Sequence, residues 1–182
     1  MDARGWVPAT AGNLSLRLPS GRIAITRSGV HKGTLNGFDV IEVDLQGRPA
    51  DPSAKPSAET ILHCQIYAAF PDIGAVLHGH SVPATVLSMA EGRPGIRLQG
   101  YEVLKAFEGI ATHEAALDLP LFPNDQDMRH LAAAIAPRLP DARATLIRGH
   151  GVYVWAPDMD TAFARLEALE FLLACELERR RL

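Results

Sequence analysis

Ala75-Val76-Leu77-His78-Gly79-His80-Ser81 is a short apolar run that ends in two histidines separated by one glycine. A continuous run of this kind, bounded by Gly74, reads as a buried strand. In extended backbone, residues two apart project to the same face, so both imidazoles can reach one ion. Imidazole nitrogen suits zinc and other first-row divalent ions, and a catalytic site keeps one position open beside three protein ligands. Taken alone, the pair fits the opening of a polar loop as well as it fits a metal site.

A third histidine shifts that balance. Gly149-His150-Gly151 lies between the apolar runs Ala144 to Ile147 and Val152 to Trp155, at another strand end. Flanking glycines mark a sharp bend or a close backbone approach. His150 is therefore the natural third ligand. The other histidines carry less. His113-Glu114 lacks the second histidine of a zinc-binding His-Glu-x-x-His helix, and His31, His63 and His130 occur singly, which predicts surface or half-buried positions.

Outward from this centre, the period of the sequence changes twice. Asn13 to Leu18 and Arg22 to Thr26 alternate around the turn Pro19-Ser20-Gly21, which predicts a hairpin, and Asp39 to Asp44 alternates again. Ser57 to Phe70 places Ile61, Leu62, Ile66 and Ala69 on one helical face, with Ser57 as N-cap and Glu59 in the first turn. Val82 to Ala90 and Gln126 to Leu139 read as helices, the latter after the start signal Asn124-Asp125. A long amphipathic helix from Asp158 carries Phe163, Leu166, Leu169, Leu173 and Leu177. This order predicts one α/β domain over residues 1–182, three layers α/β/α around a mixed, largely antiparallel sheet.

Composition narrows the function. The 182 residues carry a net charge of −3, with no basic face for nucleic acid. Arg179-Arg180-Arg181 reads as a solvated helix end complementing the helix dipole. Cys64 and Cys175 fall in apolar helical patterns and read as small buried residues of a reducing, cytoplasmic protein. No run approaches the ~20 apolar residues of a membrane span.

Two carboxylates could move protons. Glu102 sits in the otherwise apolar Gly100-Tyr101-Glu102-Val103-Leu104, where it could be a general acid/base or simply an exposed helical glutamate. Glu59, one turn before His63, could pair with it or stabilise a helix N-terminus. Three small-residue turns, Thr10 to Asn13, Thr26 to Gly29 and Lys55 to Ala58, could donate backbone and hydroxyl hydrogen bonds to a phosphate, and each alone is also an ordinary turn.

Read together, Ala11-Gly12-Asn13-Leu14-Ser15, Thr26-Arg27-Ser28-Gly29, Lys55-Pro56-Ser57-Ala58-Glu59, the paired histidines and Gly149-His150-Gly151 resemble the class II aldolase and adducin family over nearly the whole chain. The resemblance implies one Zn2+ per subunit on His78, His80 and His150, with Glu102 as catalytic acid/base and Glu59 as a possible second one. It implies a phosphate pocket of Asn13, Ser28, Gly29, Ser57 and Ala58, and a homotetramer with active sites near subunit interfaces. Within the family, Arg4 to Thr10, Gly100 to Lys105, Gly151 to Trp155 and Leu166 to Leu172 resemble a dehydratase branch. That branch implies dehydration of 5-methylthioribulose 1-phosphate to 5-methylthio-2,3-diketopentyl 1-phosphate, a step of methionine salvage. Aldol cleavage or epimerisation of a sugar phosphate, and a non-catalytic adducin-like interaction module, are the alternatives. Relatives carry a helix before the position of Trp6, and a threonine often stands where this chain has Gly79.

Overall fold

Alternation in the first third produces strands, as expected. In the computed structural model, which describes residues 1–182, β1 (Asn13–Arg17) and β2 (Ile23–Thr26) form the hairpin, with Ser15 opposite Ile25, and β3 (Val40–Val43) pairs with β2. Beyond them come α1 (Thr60–Ala69), β4 (Ala75–Gly79) and α2 (Val82–Ala90). β5 (Gly95–Gln99), β6 (Ala116–Phe122) and α3 (Met128–Ile135) follow. The chain closes with β7 (Ala144–Ile147), β8 (Gly151–Ala156) and α4 (Met159–Arg179).

The strands make one 8-stranded sheet in the order β3-β2-β1-β4-β8-β7-β6-β5. Only β6 and β7 run parallel. The mixed, largely antiparallel expectation holds. Residue parity on the central strands sorts the two layers. Leu77, Val152 and Val154 face a core shared with Leu166, Leu169 and Leu173 of α4, whereas Val76, Tyr153 and Trp155 face Leu62 and Ile66 of α1 and Leu131 of α3. Each such fully buried aliphatic side chain stabilises by roughly 1.5–3 kcal/mol. At the centre of the sheet, β4 and β8 are buried along their whole length.

Several expectations need correction. Helix α1 starts at Thr60, not after Ser57, and its N-cap position is Glu59. The Ser57 hydroxyl accepts from the Glu59 amide but also from Asn13 Nδ2, so it serves the approach to the helix. The segment expected to be helical from Gln126 to Leu139 starts at Met128, capped by Asp127, and ends at Ile135. There Pro137 and Pro140, which lack an amide hydrogen, turn it into a 3-10 segment, Ala136–Asp141. Strands β5 and β6 add to the elements expected from the sequence, and β6 carries Pro120, a residue that argues against an interior strand. The proline is tolerated because the ladder to β7 runs through Leu121 and Phe122, so the missing amide hydrogen falls outside those pairs. Arg180 is not a free helix end: it grips Glu176 and Glu91, tying α4 to the end of α2. Cys64 is buried as expected, and Cys175 only partly so.

Candidate metal centre

His78 stands on β4 opposite Tyr153 of β8, and the two rings stack with centroids 4.0 Å apart. Its Nδ1 lies 2.8 Å from the Val152 carbonyl. A carbonyl only accepts, so Nδ1 carries the hydrogen and Nε2 keeps its lone pair. That Nε2 is fully buried and makes no hydrogen bond. An orphaned buried acceptor costs about 1–3 kcal/mol, so the position calls for a ligand on Nε2. His80 follows where β4 ends, its amide fixed by Trp6 O at 2.7 Å.

His150 arrives from the other side. Gly149 adopts φ +62°, and a Cβ on Gly151 would stand 2.0 Å from Gly79 O, so both glycines are required by the backbone. Helix α2 fastens this turn, with Gly149 N donating to Ser88 Oγ and Arg148 Nη1 donating to the carbonyls of Ser88 and Glu91. The His150 Nδ1 faces Asn124 Oδ1 at 3.3 Å, which turns Nε2 toward the other imidazoles. Ring centroids of His78, His80 and His150 lie 4.4–5.1 Å apart.

Glu59 completes the group. Its Oε1 is 2.7 Å from His150 Nε2 and 3.4 Å from His78 Nε2, and the four ligand atoms lie within 4.8 Å of one another. Burial works to raise the Glu59 pKa, but the close contacts with His78 and His150 overcome it and hold the carboxyl well below its ordinary range. Burial, with the neighbouring His78 and His150, pushes His80 down to about 3, leaving its imidazole neutral as a metal ligand must be. Three imidazoles, one of them with a bare inward nitrogen, and one carboxylate form a donor set that fits a divalent first-row ion.

Asn13, Ser28, Gly29 and Ser57 line one cavity of about 240 Å³ that also reaches Glu59 and His80. Ala58 lines a neighbouring cleft with Gln126–Arg129 instead. Glu59 does not pair with His63. His63 is fully buried, contrary to the surface or half-buried expectation, with Nδ1 2.7 Å from Ser15 Oγ, and burial pushes it down to about 3.

Glu102 is not brought to this group within one chain. It follows β5, separated from β4 by β6, β7 and β8, and its side chain is 68% exposed beside Lys105 and His113. Lys32 in the cavity wall, and Asn124, Ser88 and Arg148 behind His150, carry no periodic signal in the sequence, because they act here through tertiary contacts.

This geometry has parallels elsewhere. A family model described as class II aldolase and adducin N-terminal domain matches residues 1–177. The chain belongs to the class II aldolase and adducin family. Among its relatives are proteins named methylthioribulose-1-phosphate dehydratase. That of Gluconobacter oxydans is 67% identical over 180 residues, spanning 98% of this chain and 86% of the relative. That of Acidiphilium cryptum is 62% identical, spanning 100% and 87%. Solved structures of similar fold include YgbL from Klebsiella pneumoniae, 30% identical with a TM-score of 0.82 over 95% of this chain and 81% of that one. L-fuculose-1-phosphate aldolase from Thermus thermophilus is 27% identical, with a TM-score of 0.79 over 98% and 88%.

Two predictions arise from the supports of this family site. Asn124→Ala removes the acceptor that orients His150, and metal affinity should fall about 10–100-fold with little change in melting temperature, read by competition with a chromogenic chelator. The second concerns Glu170 of α4, whose two carboxylate oxygens are buried without partners. Burial pushes it up to about 7. A raised acid favours the folded state below its unfolded pKa. Its cost grows as pH climbs from there to about 7 and is constant above. Glu170→Gln should therefore be neutral near pH 4.5 and stabilise by about 2 kcal/mol at pH 8, measured by urea unfolding. The same difference from the native chain at both pH values would refute it.

Proposed function

We propose that this chain removes water from 5-methylthioribulose 1-phosphate, giving 5-methylthio-2,3-diketopentyl 1-phosphate, with Zn2+ held by His78, His80 and His150. The reading makes it a step of methionine salvage in the cytoplasm. The observation that carries it is the orphaned Nε2 of His78 among two further imidazoles, in a chain 67% identical to a protein named as that dehydratase. When bound, the ion supplies Lewis acidity, which polarises a carbonyl and makes the neighbouring C–H acidic.

The chain's own residues do the rest. Asn13, Ser28, Gly29 and Ser57 anchor the phosphate group in the cavity beside His80. Glu102 takes the C3 proton and delivers a proton to the C4 hydroxyl, which departs as water. Because Glu102 is remote from its own histidines, it serves the site of a neighbouring subunit in a homotetramer. The apolar surface of Val82, Val86, Met89 and Phe171 supports such association. Glu59, charged and within reach of two imidazoles, is a second proton carrier.

That position of Glu59 also favours one other reading, aldol cleavage of a ketose phosphate, since a carboxylate at the histidine cluster can protonate the carbon left by C3–C4 cleavage. Mass analysis separates the two. Metal-loaded protein given methylthioribulose 1-phosphate should yield a product lighter by one water. Two carbon fragments would replace dehydration with aldol cleavage, and a species of unchanged mass but altered chromatographic retention would indicate epimerisation.

A further inference from the structure

Lys32 lies at the start of a 3-10 turn, Lys32–Thr34, and is only 9% exposed. Its Nζ donates to Thr10 O at 2.9 Å and to Val30 O at 2.7 Å. An ammonium has three hydrogens, so one is left over, and it has no partner in the chain. No carboxylate forms an ion pair with Lys32. The cavity that Lys32 lines contains one other permanent cation, Arg27, and that guanidinium is engaged by Asp39 at 2.9–3.0 Å. Its hydroxyl, amide and glycine donors at Asn13, Ser28, Gly29 and Ser57 are neutral.

We infer that Lys32 is the specificity-determining cation of this cavity, the one side-chain charge that binds a substrate's phosphate dianion and so separates phosphorylated from unphosphorylated ketoses. Three features fit that role and exceed what a structural pin requires. The side chain is already immobilised by two carbonyls, so little rotamer entropy remains to be lost on binding. Its charge is partly desolvated, which strengthens attraction to an anion. It also lines the same cavity as Glu59 and His80, so one cavity joins the phosphate turns, the ammonium and the histidine cluster. A lysine here acts as a point charge rather than a planar fork, suited to a phosphate held by several neutral donors.

The inference rests on the proposed phosphate-ester substrate, and its test keeps the two apart. The metal-loaded chain is compared with Lys32→Met and Lys32→Arg. Binding of inorganic phosphate is followed by phosphorus NMR, alongside metal content, melting temperature and the kinetics of methylthioribulose 1-phosphate. Lys32→Met should weaken phosphate binding about 30-fold and raise KM comparably, with kcat within about threefold, as expected for loss of binding shared by ground and transition states. Lys32→Arg should keep phosphate affinity within about fivefold. Should Lys32→Met not fold, Lys32→Gln replaces it, and must bind phosphate at least about tenfold more weakly than Lys32→Arg.

Phosphate affinity unchanged in Lys32→Met overturns the inference. So does a loss that tracks metal content and melting temperature, which identifies a pin between the Thr10 and Val30 turns. Absence of phosphate binding to the native chain overturns it as well. If the native chain fails to dehydrate methylthioribulose 1-phosphate while Lys32→Met still loses phosphate, the substrate reading falls and the role of Lys32 stands.

Discussion

His78→Ala should leave a chain that retains no stoichiometric metal and dehydrates its substrate at the rate of buffer. Losing one of three imidazoles removes a ligand outright, and affinity should drop on the order of 10³-fold or more. The same substitution also deletes the stack on Tyr153 and the hydrogen bond to Val152 O. A destabilisation of about 2–4 kcal/mol is therefore expected from cavity formation and the lost bond. His80→Ala separates the two effects. Its ring is only partly buried and its side chain makes no hydrogen bond, so it should lose the metal equally while melting close to the metal-free native protein. Metal analysis and calorimetry on the pair decide the matter. Full metal retention by both variants would remove these histidines from the centre.

Glu102→Gln should retain the metal and lose activity by about 10²–10⁴-fold, the usual range for a deleted general acid/base. Its exposed position away from the histidines gives this prediction a sharper form. If a neighbouring subunit supplies the glutamate, two inactive chains can rescue each other. Equal amounts of Glu102→Gln and His80→Ala, unfolded and refolded together, should regain about a quarter of native activity, because random pairing in a cyclic assembly puts an intact histidine set beside an intact glutamate at one site in four. Either chain refolded alone should stay inactive. No rescue, in assemblies shown to be mixed, would end the shared-site account. Full activity of Glu102→Gln alone would end its role in proton transfer.

Much of this molecule was legible in its sequence where local chemistry and tertiary role coincide. The alternation in Asn13 to Thr26 produced the hairpin, and parity along Ala75 to Gly79 put His78 beside Tyr153 on the α1 side of the sheet. The glycines around His150 signalled a backbone constraint, and the structure supplies its cause in the approach of Gly151 to Gly79 O. The illegible parts depend on distance in space. Glu59 reads as an ordinary helix-start acid, yet it occupies the N-cap position because Ser57 is turned toward Asn13, and this carries its carboxylate to the imidazoles. Pro120 argues against β6, and so against the edge hairpin before Glu102. Lys32 is inconspicuous in a polar turn, since only folding joins it to Thr10 O.

The metal centre of His78, His80 and His150 is the feature on which every proposed step depends. Elemental analysis of the purified native chain, dialysed without chelator and set beside His78→Ala treated identically, tests that most directly. One divalent ion per chain in the native protein, with only a trace in the variant, is the predicted result. A native chain holding no more metal than His78→Ala would contradict it.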